Sequence, residues 1–249
     1  MELSSFFKKH PKVAVAFSGG VDSAYLLYEA AVNCADVCAY YVKSAFQPGF
    51  ELRDAMRLAK QLNTRLVVLD ADVLAVSEIA ANPKNRCYFC KKLIFAKIKE
   101  QAAADGYSVL LDGTNASDDA ADRPGMRALE ELSVLSPLRE CGISKAEIRA
   151  RSKEAGLFTW DKPAYACLAT RIPAGTPITA QALESTERAE DYLFSLGFSN
   201  FRVRMAGKDA KIQLPLSQFG LLAEKREQVV QELKKYYSSV TLDLEARDE

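Results

Sequence analysis

A single histidine, His10, stands in the 249 residues of this chain, and it precedes the first predicted strand. That scarcity excludes much chemistry: a Ser-His-Asp triad, a Cys-His dyad and a histidine-rich zinc site all need imidazoles where this sequence has none. Excess charge is also missing. Lys plus Arg and Asp plus Glu come to 33 each, so there is no global basic field to hold nucleic acid, although the balance leaves room for a local patch. Nowhere do about 18 apolar residues run together, and Met1-Glu2-Leu3-Ser4-Ser5 has no cationic stretch leading into a long apolar one. The sequence therefore predicts a cytoplasmic protein with no membrane partner. Without a signal peptide, its six cysteines read as thiols or metal ligands rather than a disulfide framework.

What is present is alternation. Short apolar runs at 13–17, 37–42, 65–69 and 108–111 read as buried strands, and amphipathic segments at 22–33, 49–62 and 90–105 read as helices. This order predicts an α/β fold, a parallel sheet with helices on both faces, and a hydrophobic content of 49% is enough to fill its core. Ligands of such sheets bind beyond the carboxyl ends of the strands. Three segments fall there: residues 18–23, Lys43-Ser44, and Asp112-Gly113-Thr114-Asn115.

The first of these is Ser18-Gly19-Gly20-Val21-Asp22-Ser23. Two glycines let the chain turn sharply and bring bare N–H groups against an anion, and the following helix start adds unpaired N–H groups and partial positive charge. Ser18 and Ser23 add hydroxyl donors. The segment lacks the Lys-Ser/Thr ending of the mononucleotide P-loop and the third glycine of the dinucleotide fingerprint. The plain alternative is a Gly-Gly turn before a helix.

Further along, Ser144-Lys145-Ala146-Glu147 opens a helix as a capping box that Gly156 closes. A proline-punctuated stretch follows. Beyond it, a helix at 180–196, strands at 200–205 and 210–214, a helix at 218–236 and a strand at 240–244 form a small α+β unit. In Cys87-Tyr88-Phe89-Cys90 two thiols stand where a loop meets a helix, a spacing that suits either a shared metal or a redox pair. Cys167 lies in the connection between the two domains, either at an enclosed site or as a small buried hydrophobe. Cys34, Cys38 and Cys141 have no partner spacing and read as core or incidental.

Residues 18–23 resemble the SGGxDS signature of the PP-loop ATP pyrophosphatase family. Within it the chain is similar, along nearly its whole length, to the LarE-type sulfur transferases. The resemblance is carried by residues 17–23, Asn85-Arg86-Cys87-Tyr88-Phe89-Cys90-Lys91, residues 111–118, residues 122–127, residues 162–173 and Phe201-Arg202-Val203-Arg204. It implies an adenine-nucleotide alpha hydrolase-like domain over 1–176 and a small α+β domain over 177–249. It also implies an enzyme that adenylates a carboxylate of a pyridinium mononucleotide with ATP and Mg²⁺, and then replaces the adenylate with sulfur. The product belongs to the nickel-pincer nucleotide cofactor of lactate racemase, and members of the family assemble as homo-oligomers.

For individual residues, the resemblance implies ATP binding by Ser18, Gly19, Gly20, Asp22, Ser23, Lys43, Gly113 and Thr114, with Asp22 also holding Mg²⁺. Cys87, Cys90 and Cys167 are implied as catalytic residues and as ligands of a [4Fe-4S] cluster carrying an extra sulfide. The alternative is that Cys167 sacrifices its own sulfur. Arg171, Arg202 and Arg204 are implied near the substrate. Arg123 and Arg127 either grip phosphates or form a surface pair. Glu190 matches an acidic position of the family, whereas Gln213 stands where a glutamate is expected and removes a base from that pair. The rival readings are tRNA thiolation, which the charge balance disfavours, an ammonia-using ligase that would need no cysteines, and a non-catalytic nucleotide-binding protein.

Overall fold

The computed structural model describes residues 2–34, 36–118 and 124–247. In chain order its elements begin α1 (Leu3–Lys9), β1 (Lys12–Ala16), α2 (Val21–Asn33), β2 (Asp36–Lys43), α3 (Gly49–Gln61), β3 (Arg65–Asp70), α4 (Ser77–Ala80) and α5 (Arg86–Ala104). There follow β4 (Leu110–Leu111), α6 (Pro124–Glu131), α7 (Pro137–Glu140), α8 (Lys145–Glu154), α9 (Ala180–Ser195), β5 (Arg202–Ala206), β6 (Asp209–Gln213), α10 (Phe219–Leu233) and β7 (Val240–Leu242). The backbone divides into two compact units, one of Met1–Val73 with Asn85–Lys162, the other of Leu74–Lys84 with Pro163–Glu249.

In the first unit four parallel strands stand in the order β3-β2-β1-β4. Side chains of a strand alternate between faces, and each face has its own core. Val13, Val15 and Tyr41 pack with Leu26, Leu27, Leu58 and Ile148, while Ala14, Cys38, Tyr40 and Val42 pack with Phe95, Ile98 and Leu129. This double burial explains the near-continuous apolar runs of β1 and β2, and it agrees with the predicted parallel sheet covered by helices.

Two elements differ from the sequence reading. β4 is only Leu110–Leu111, although the ladder continues through the hydrogen bond from Ala14 N to Val109 O at 2.9 Å. α5 starts at Arg86 rather than at residue 90, because helix geometry runs back through a first turn of mixed polar and aromatic residues that carries no apolar periodicity.

The second unit holds a three-stranded sheet of order β5-β6-β7, with β5 antiparallel and β7 parallel to β6. Its core joins Leu193, Phe198, Phe201, Val203, Ile212, Val229 and Leu233. Residues 74–84 belong to this unit through Asn82, which is fully buried and left-handed at φ 56°. Its Nδ2 reaches the carbonyls of Ile172, Pro173 and Thr176 at 3.4, 2.9 and 3.0 Å. Asn82→Ala strands those acceptors and places alanine where asparagine is tolerated better. We expect it to destabilise the protein by about 2–3 kcal/mol, read as a lower denaturant midpoint with an unchanged slope.

Candidate active site

Beyond the carboxyl end of β1 the chain turns at Gly19, whose φ of +75° suits glycine; a Cβ there would stand 3.1 Å from the Glu51 carbonyl oxygen. Gly20 is the N-cap of α2 and supplies no side-chain cap, so the first-turn N–H groups of residues 21–23 are left for another acceptor. The turn is knitted from within. Ser23 Oγ accepts from Ser18 N at 3.3 Å and donates to Gly20 O at 3.2 Å, and the Ser18 and Ser23 hydroxyls stand 3.0 Å apart.

The loop after β4 closes on the same helix start. A Cβ on Gly113 would lie 2.8 Å from Ser23 N, a backbone atom that cannot give way. Thr114 and Ser136 hydroxyls both donate to the buried Asp112 carboxylate at 2.5 Å, which holds the loop, and Asn115 Nδ2 donates to Asp22 Oδ1 at 3.3 Å. Gly113→Ala must push this loop off α2. We expect ATP–pyrophosphate exchange to fall by roughly tenfold or more with little change in melting temperature, since the loss is of alignment at a preorganised site.

Two lysines join the cradle that sequence reasoning did not assign. Lys145 is the first residue of α8, a helix fixed at its start by the capping box of Ser144 and Glu147. Gly156 (φ +67°) closes it, with Leu157 N bonded to Ser152 O and Gly156 N to Lys153 O, the Schellman arrangement. So anchored, Lys145 Nζ donates to Asp22 Oδ2 at 2.5 Å. Lys162 Nζ donates to Asp54 Oδ2 at 2.7 Å and to Gly19 O at 3.3 Å. The available signals were a lysine next to the capping box and the position of Lys162 at the head of the proline-punctuated motif. Together these groups gather N–H, hydroxyl and ammonium donors around one helix start, a set suited to a polyphosphate.

Other predicted residues stand differently. Lys43 ends β2 with an exposed side chain. Arg123 lies outside the described residues. Arg127 is exposed on α6, where it donates to Glu131 at 2.9 Å and lies 5.0 Å above the Tyr88 ring, and Tyr88 OH bonds the same carboxylate at 2.8 Å. Cys87 lies in the first turn of α5 and Cys90 opens the second, three residues apart and so on one helix side. Cys87 is exposed and Cys90 half-buried, and no cysteine is in a disulfide. Cys167 belongs to the second unit. Among the described residues no group of three or more His, Cys, Asp or Glu stands together as a metal site.

In the second unit Glu190 is a hub. Its carboxylate takes two bonds from Arg171, at 2.9 and 3.0 Å, one from the Val203 N–H at 2.9 Å and one from Tyr165 OH at 2.5 Å. Arg171 uses its remaining nitrogen on Ala166 O and Thr170 Oγ1, at 2.7 and 2.8 Å, and more weakly on Cys167 O at 3.4 Å. With its side chain fully buried, Arg171 shapes the Cys167 turn. Arg202 donates to Phe201 O and Ala164 O. Burial, and then the Arg171 and Arg247 guanidinium groups, pull it down to about 10, which leaves it charged near neutrality. Arg204 donates to Gln213 Oε1 at 2.6 Å, and Gln213 passes a bond to Asp243 at 2.7 Å. The glutamine thus relays between a cation and a carboxylate that also pairs with Lys211.

Among the described residues no helix is long and apolar enough to cross a membrane. No protein-family model matches the chain, but individual proteins do. It is 37% identical over 98% of its length, and 92% of the relative's, to an uncharacterised protein of Synechocystis sp.. It is 31% identical over 61% of its length to the tRNA-specific 2-thiouridylase MnmA of Salinispora tropica, covering 52% of that protein, a PP-loop relative. With the pyridinium-3,5-bisthiocarboxylic acid mononucleotide synthase of Lactiplantibacillus plantarum it shares 33% identity over 97% of its own length and 89% of the relative's. The near full-length match, on a parallel α/β fold with a donor-rich turn after β1, makes this chain a member of the LarE family within the PP-loop superfamily.

Proposed function

We propose that this protein is an ATP-dependent sulfur transferase that adenylates a carboxylate of a pyridinium mononucleotide and converts it to a thiocarboxylate for a nickel-pincer nucleotide. The observation that carries this reading is the donor array at the start of α2, bracketed by Lys145 and Lys162. When the substrate carboxylate attacks the α-phosphorus of ATP, the bond to the bridging oxygen breaks and charge grows on the departing pyrophosphate. Donors already aimed at that charge lower the barrier because they need no reorganisation. The N–H groups of residues 21–23, the glycine turn of Gly19 and Gly20, the Ser18 and Ser23 hydroxyls and the two ammonium groups serve here, with Gly113 and Thr114 in the loop that closes on the same helix start. Asp22 is partly exposed and offers hard oxygen donors, so it suits Mg²⁺, which neutralises phosphate charge when bound.

The acyl-adenylate is then open to attack by sulfur at its carbonyl carbon, with AMP leaving. Cys87, Cys90 and Cys167 offer three thiols and no competing imidazole, a donor set whose chemistry fits a [4Fe-4S] cluster. They would hold three irons and leave the fourth to carry sulfide. Arg204 and Arg202 supply fixed positive charge for the substrate phosphate, and Arg171 keeps the Cys167 turn in place. The resemblance to the family points to a homo-oligomer acting on this small molecule without nucleic acid.

Anaerobic purification with iron and sulfide analysis, followed by mass measurement after turnover, tests this reading. The expected result is about four irons per cluster and a chain of unchanged mass. Loss of one sulfur at Cys167 would transfer the donor role to that residue. Iron-free protein of full activity and unchanged mass would sink both. A salt-sensitive complex with tRNA would favour thiolation of RNA instead.

A further inference from the structure

The second unit contains a cleft of about 700 Å³ that shares no residue with the proposed ATP and substrate sites. Its walls are the first turns of α9, the turn between β5 and β6, and the chain just after α10. Met205 lines it, so it opens on the side of β5 opposite Arg202 and Arg204, because alternate residues of a strand face opposite ways.

Among the described residues three lysines line the cleft, Lys208, Lys234 and Lys235, and no acidic residue does. Lys235 is neutralised by Glu232 at 2.5 Å. Lys208 and Lys234 have no carboxylate partner among the described residues, so the cleft keeps two uncompensated positive charges. α9 adds to them. It is a helix of 16 residues, and Thr179 Oγ1 takes only the Ala182 N–H at its start, which leaves the N–H groups of residues 180 and 181 and the positive end of the helix dipole toward an anion. Ser185 and Ser238 contribute hydroxyls to the lining. The walls are fixed in advance: Ser238 N donates to Lys208 O, and Ala210 N to Ser239 O, both at 2.9 Å.

We propose that this cleft is a second ligand site, one for a phosphate monoester of mononucleotide size. Two ammonium groups and a helix start suit a dianionic phosphate. The volume lies in the range that encloses a small organic ligand and far exceeds what a lone phosphate fills. Tyr236, half-buried in the lining, adds aromatic surface for the remainder of such a ligand.

Equilibrium dialysis of the full chain with labelled AMP tests this, with Lys208→Ala/Lys234→Ala as the variant. Both lysines are exposed, and melting temperature is the check that the variant folds. Wild type should bind two equivalents per chain. The variant should keep one at unchanged affinity and lose the other, or bind it at least tenfold more weakly. A single equivalent in wild type, or two of unchanged affinity in the variant, would overturn the proposal. So would displacement of the second equivalent by inorganic phosphate at equal concentration, since that makes the cleft a simple anion site. Binding here is read without turnover, so failure leaves the sulfur-transfer reading untouched.

Discussion

Replacing Cys167 with alanine is expected to stop thiocarboxylate formation, by roughly three orders of magnitude or more, while ATP–pyrophosphate exchange stays within about twofold of wild type. The split follows from how the residue is held. Cys167 precedes a short 3₁₀ turn at Leu168–Arg171, and what anchors it is its backbone: its carbonyl accepts from Thr170 N at 2.9 Å, from Thr170 Oγ1 at 2.8 Å and from Arg171. None of those bonds uses the sulfur, so alanine keeps all of them while it removes the thiol. The donor array proposed to make the adenylate is knitted by hydrogen bonds within the first unit. Adenylation measured by labelled pyrophosphate exchange should therefore proceed and the acyl-adenylate accumulate. Parallel loss of exchange and sulfur transfer would show that Cys167 acts in the adenylation step, and full sulfur transfer would remove it from the chemistry altogether.

The parts of the fold that were legible in the sequence are those set by local pattern. β1 and β2 are apolar on both faces because both are buried, and such runs alternating with amphipathic helical segments indicate a parallel sheet. Ser144 and Glu147 announce the start of α8, and Gly156 its end, through capping chemistry confined to a few neighbouring residues. What stayed hidden depends on contacts between distant segments. Lys145 meets Asp22 across 123 positions, and Lys162 meets Asp54 across 108; no local signal distinguishes such lysines from solvated ones. The start of α5 was hidden for another reason, since the buried residue of its first turn is the charged Arg86 and the turn carries no apolar periodicity.

Gln213 shows how a departure from expectation is absorbed. A glutamate there would stand beside the carboxylate of Asp243, and like charges at that range repel. The amide instead accepts from Arg204 and donates to Asp243, a dual role that a carboxylate cannot fill. Glu190 was legible as an acidic position, but not as the hub of its unit. Its partners come from two separated stretches, Tyr165 and Arg171 in one and Val203 in the other, and only the fold brings them to Glu190.

That hub gives the largest expected effect on stability. The Arg171–Glu190 pair is almost wholly enclosed, with side-chain exposures of 0% and 2%. Glu190→Ala leaves a buried guanidinium without its counter-charge and strips the Val203 N–H and Tyr165 OH of their acceptor. Breaking a buried pair from one side costs about 3–5 kcal/mol, which for a chain of this size lowers the melting temperature by roughly 10 °C. Stability alone would not show a functional role, so a second variant separates the two. Arg171→Met combined with Glu190→Leu removes both charges and fills the space with apolar atoms, a replacement that often restores most of the lost stability. The Ala166 and Cys167 carbonyls still lose their guanidinium donor in that variant. The Val203 N–H and Tyr165 OH also still lack their acceptor, so we expect it to melt between Glu190→Ala and wild type and yet transfer sulfur at least about tenfold more slowly than wild type, with pyrophosphate exchange retained. Recovery of sulfur transfer together with stability would show that the pair only supports the fold, and a Glu190→Ala protein that melts like wild type would show that the pair contributes little to either.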